Sequence, residues 1–204
     1  MMFRIGVKFG MLLSGFMAIS HSLEVFANLQ PPLPAVRGVA MWALMFVVCG
    51  AASAVTCDRA KAVSLGIGAS VVAAVIGSIN LVVFAVAIGA LRRQPLTMDT
   101  IVSTGGVHIG GAVGVGLAVG FVSSQAAAFL RTAPKPLAVA VSAGALLLLG
   151  AGLTAIVVAT SMARSARPPF IMFGLPAMAT ALAVVSPAAL AVFKPPIVPR
   201  ARAS

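Results

Sequence analysis

The chain has 204 residues, 61% of them hydrophobic and only 8% charged, with a mean hydropathy of +1.13; soluble domains carry about 25% charged residues, so a water-soluble globular fold is excluded. The net charge is +11, but the fourteen Lys and Arg stand mostly in ones and twos at the ends of apolar runs. That placement belongs to membrane topology, excludes a nucleic-acid-binding stripe, and implies anionic lipid headgroups as partners.

Six apolar stretches reach or approach the roughly 20 residues that a helix needs to cross a hydrocarbon core about 30 Å thick. Lipid cannot satisfy backbone polar groups, and the alternating pattern of a membrane barrel strand is absent, so the predicted class is all-α. The expected architecture is one polytopic helical bundle over residues 1–194, with short loops and no soluble domain, followed by a short basic tail at 195–204.

The first span is predicted over residues 5–29 and stops at "QPPLPAVRG", where prolines end a helix. It carries Lys8, which can snorkel to the surface, and then His21, Glu24 and Asn28. Its opening, "MMFRIGVKFGMLLSGFMAIS", also has the form of a secretory leader with "VFA" at Val25 to Ala27 as the cleavage site; cleavage would leave five spans. The second span, 39–56, holds Cys49 and ends just before Cys57. Eight helical residues separate these thiols by about 12 Å, beyond the roughly 7 Å that a disulfide tolerates. No CxxC or Cys/His cluster points to a structural metal.

The third span, 62–91, contains Asn80, an amide expected to bond a neighbouring helix. After it comes "RRQPLTMDT", in which Thr97 or Asp99 is placed to cap the next helix. The "ALRRQP" loop beside a glycine-rich helix resembles the polar loop of rotary ATPase proteolipids. Those proteins need a carboxylate in the middle of a membrane helix, and residues 62–130 offer only Asp99 in the loop, so the likeness assigns no family.

The fourth span, 100–130, contains "GGVHIGGAVGVGLAVG", with seven glycines and His108 in sixteen residues. Residues four apart share a ridge. Gly106, Gly110, Gly114 and Ala118 make one row; His108, Ala112, Gly116, Gly120, Ser124 and Ala128 make another, about 200° away. Small rows admit close helices, so this span is expected to have neighbours on two sides and to lie at the bundle's centre, with Gln125 as a further polar contact. The fifth and sixth spans are predicted over 137–163 and 170–193, and Pro176 and Pro187 predict a kinked or re-entrant sixth segment. Nine basic residues on the side of both termini against five on the other place the termini in the cytoplasm of a prokaryotic inner membrane.

Ionisable groups within membrane segments point to function. His21 and His108 each fall about 12 Å from the outer ends of their predicted spans, and Glu24 shares a helical face with His21. If the first and fourth spans meet, these three form one site. Two imidazoles could ligate a b-type haem, with Arg37, Arg92 or Arg93 near its propionates; a His and Glu pair could relay protons or hold a cation; or the side chains could simply bond their neighbours. No paired carboxylates or nucleophile elbow suggest an enzyme. The leading expectation is a non-enzymatic subunit or assembly factor of a larger membrane complex, or a self-associating protein, without a resident cofactor. The alternatives are a small solute, ion or proton transporter and a b-type cytochrome.

Overall fold

A computed structural model describes residues 1–27, 33–91, 97–161 and 167–193. They form six helices: α1 (Met2–Ala27), α2 (Leu33–Ala60), α3 (Val63–Leu91), α4 (Met98–Leu130), α5 (Lys135–Ser161) and α6 (Arg167–Phe193). Each contains a segment long and apolar enough to span a membrane, and the protein is an all-α polytopic membrane protein. Prolines sit in helical first turns, where a missing N–H costs nothing: Pro34 in α2, Pro136 in α5, and Pro168 and Pro169 in α6. Thr97 caps α4 by accepting from the Thr100 N–H at 3.2 Å. Lys61 ends α2 in the left-handed conformation, φ 58°, with its N–H on the Cys57 carbonyl at 2.9 Å.

The helix with the most neighbours is α2, which packs against α1, α3, α4 and α6. This corrects the expectation that the glycine-rich fourth helix is central: α4 packs against α2, α3 and α6 and leaves one face outside. Its spacing pattern marks where a neighbour can approach, and only one of the two rows meets one. At the edge, α5 packs chiefly on α6. The two cross at reciprocal glycines, where a Cβ on Gly152 would lie 2.9 Å from the Gly174 carbonyl oxygen and the converse distance is also 2.9 Å.

Without a hydrophobic drive between helices in lipid, close backbone approach and interhelical hydrogen bonds hold the bundle. On α1, a Cβ at Gly6 or Gly10 would come within 2.7 Å of Val72 or Ile76 Cβ on α3. One turn further along, Asn80 Nδ2 donates to Ser14 Oγ at 3.0 Å, joining the same two helices. The core is built largely from small residues, among them Cys49, Ala52, Ala69, Ala73 and Ala112, with Leu13 and Met45 filling between them. Cys49 and Cys57 are free and buried.

A polar seam joins α2, α4 and α6. Ser53 Oγ donates to the Gly120 carbonyl at 2.9 Å and so accepts from Ser124 Oγ, 2.6 Å away. The seam continues to α6, which runs as one continuous helix through Pro176 and Pro187 and is neither broken nor re-entrant. Pro187 has no N–H for the Ala183 carbonyl, and Ser123 Oγ of α4 donates to that carbonyl instead. At the same end of the bundle, Arg131 after α4 reaches the Cys57 carbonyl at 2.9 Å and lies 3.8 Å from Asp58, which also pairs with Lys61 at 3.3 Å.

Candidate functional site

Toward the end where α1 and α3 finish and α2 and α4 begin, the tight seam gives way to a partly open cavity of about 530 Å³. Met17 and His21 line it from α1, and Met41, Trp42 and Met45 from α2. Ser78, Leu81 and Ala85 come from α3, and Val107, His108, Gly111 and Ala112 from α4. Neighbouring turns on each helix supply these residues, so the cavity follows directly from the helical period. Its volume falls within the roughly 300–1,000 Å³ of small-molecule sites, and its lining is apolar with a few polar groups, as such sites are built.

The two histidines occupy one cavity although α1 and α4 are not among the closely packed helix pairs. The space between these helices is the cavity itself, walled by α2 and α3. His21 lies six residues before Ala27 and His108 ten after Met98, about 9 and 15 Å from their helix ends, and both line the same cavity. The 33 residues of α4 make a helix about 50 Å long, well beyond a 30 Å core. The His21 ring meets Phe84 of α3 edge-on, centroids 6.2 Å apart and planes at 70°, which fixes the imidazole against the wall. His108 borders a second, smaller cavity of about 140 Å³ between α3 and α4, lined also by Leu81, Ala85, Thr100 and Gly105.

The described residues offer no group of three or more His, Cys, Asp or Glu placed to hold a metal ion. The side chain of Glu24, expected beside His21, lies outside the described residues, as do those of Arg37, Arg92 and Arg93. Asn80 does not line the cavity; it binds Ser14 and the Ile76 carbonyl. Gln125 is exposed on α4. The glycine rows divide sharply. A Cβ on Gly116 would lie 2.8 Å from Val71 Cα, and one on Gly120 3.0 Å from Ile67 Cα, so both press on α3. Gly106, Gly110 and Gly114 have nothing within 4 Å of that position.

Several contributors were not singled out in the sequence. Met17, Met41, Met45 and Trp42 read there as ordinary apolar positions, and only the assembled fold shows that they converge. The Gly6/Gly10/Ser14 row of α1 and the pairing of Ser53 and Ser123 with Ser124 carry the small-xxx-small spacing and adjacent serines of close helix contacts, a weaker signal than the denser glycines of the fourth span.

Comparison with known proteins finds no family model, no curated protein and no solved structure that matches this chain.

Proposed function

We propose that the protein is a non-enzymatic membrane-embedded binding protein that holds a small, largely apolar organic ligand in the cavity between α1 and α4, acting as a carrier or transport bundle. The observation that carries this reading is that His21 and His108, on helices that do not pack closely together, line one cavity of about 530 Å³ walled by methionines and Trp42. A hydrophobic cavity supplies affinity, and two imidazoles supply orientation. Methionine thioethers suit such a wall because they adapt to a ligand's shape and polarise toward it.

Trp42 is the chain's single tryptophan, so ligand entry is read directly from its emission. Protein in nanodiscs, titrated with apolar organic probes, should show saturable quenching. Gly111 lines the cavity and has nothing within 4 Å of a Cβ position, so Gly111→Phe should fill the space without striking backbone and abolish the quenching. Quenching that never saturates, or that survives Gly111→Phe, contradicts the reading.

A second reading, an integral subunit of a larger membrane complex, is favoured by the outer face of α4. Gly106, Gly110, Gly114, Leu117, Phe121 and Gln125 recur at intervals of three or four and are all exposed. They form one stripe that joins a smooth glycine groove to an amide. Gly110→Leu should leave the isolated chain folded and dissociate a complex that copurifies in mild detergent; a complex indifferent to this change contradicts the subunit reading. The orientation that supports either role is both termini in the cytoplasm of a prokaryotic inner membrane, and the uneven distribution of Lys and Arg supports it.

A further inference from the structure

We propose that the ligand of this cavity is a b-type haem, with His21 and His108 as its two axial ligands. The inference rests on the ligand-binding reading above and narrows it to one chemical class. Two imidazoles come from separate helices, α1 and α4, into one cavity whose other walls belong to α2 and α3. A macrocycle between α1 and α4 would present its iron to both rings, and each neutral imidazole nitrogen would donate a lone pair to one axial position, with no change in oxidation state.

The described residues supply too few ligands for a bare cation. Protein sites for such ions gather three or four nitrogen, sulfur or oxygen ligands, whereas the described lining offers two imidazoles around a cavity of about 530 Å³. The rest of the lining suits a large aromatic disk. Met17, Met41 and Met45 bring thioethers to the lining, Trp42 brings an aromatic ring, and Gly111 lines the cavity with nothing within 4 Å of a Cβ position. The edge-on contact with Phe84 of α3 restrains the His21 ring.

The test is optical. The full chain, expressed with a haem precursor supplied and purified in mild detergent, should show a Soret band, and reduction with dithionite should sharpen the α and β bands of a low-spin six-coordinate haem. Hemin added to colourless protein should quench Trp42 with a stoichiometric endpoint. His21→Gly and His108→Gly should each convert the spectrum to a high-spin form or lose the pigment, and added imidazole should restore the low-spin bands, which separates ligand loss from misfolding. Protein that retains no pigment once unbound hemin is removed after a titration, or a low-spin spectrum that survives replacement of both histidines, overturns the proposal. If such colourless protein still binds apolar probes and Gly111→Phe blocks them, haem fails while the binding reading stands; if no probe binds either, both fail.

Discussion

Ser123 completes a hydrogen bond that α6 cannot make for itself, because Pro187 lacks the N–H that the Ala183 carbonyl needs. An orphaned carbonyl inside a bundle costs about 1–3 kcal/mol, so Ser123→Ala should lower stability by about 1–2 kcal/mol. In a Pro187→Ala background, where the helical donor is restored, the same change should cost about 0.6 kcal/mol or less, the average for interhelical hydrogen bonds in membranes. Steric trap or denaturant unfolding of the four variants measures this coupling; equal costs in both backgrounds contradict it. Lys61 holds a positive φ, a conformation that costs a non-glycine residue about 1–2 kcal/mol. Lys61→Gly should therefore raise stability by about 1 kcal/mol net of its exposed pair with Asp58, and an unchanged or lower melting point would count against that.

At the scale of elements, the six spans were legible because long apolar runs alternate with charge and proline, and lipid leaves the backbone no alternative to helix. The place of α4 was not legible from its glycines. Spacing shows which residues share a ridge, but a small residue permits contact without attracting it, so the sequence could not say which row faces a neighbour. Substitution reads the distinction. Gly116→Ala should destabilise, because its new methyl meets the Val71 backbone at 2.8 Å. Gly110→Ala meets nothing within 4 Å and should be neutral or stabilising by up to about 1 kcal/mol from helix propensity. Melting of the two variants in detergent should move in opposite directions; a shared loss would mean that the outer row is packed as well. Pro176 and Pro187 lie inside one continuous α6: proline removes a bond within its own helix, while the donor that compensates at Ala183 sits sixty residues away on α4.

The whole molecule divides along its long axis. In one half, Ser53, Gly120, Ser123 and Ser124 bring α2, α4 and α6 into close contact, and Arg131 closes the end. In the other half α1 and α4 stand apart around a cavity. The two histidines of that cavity could be named from the sequence because ionisable groups are rare in so apolar a chain, whereas its methionine and tryptophan walls could not, since such residues are ordinary in every span. Native mass spectrometry of the protein released from mild detergent shows whether a ligand occupies the cavity. A small molecule of defined mass should accompany the wild-type chain and be absent from Gly111→Phe, whose ring would occupy its place. A wild-type chain that carries nothing, or a variant that keeps the same adduct, would contradict the claim.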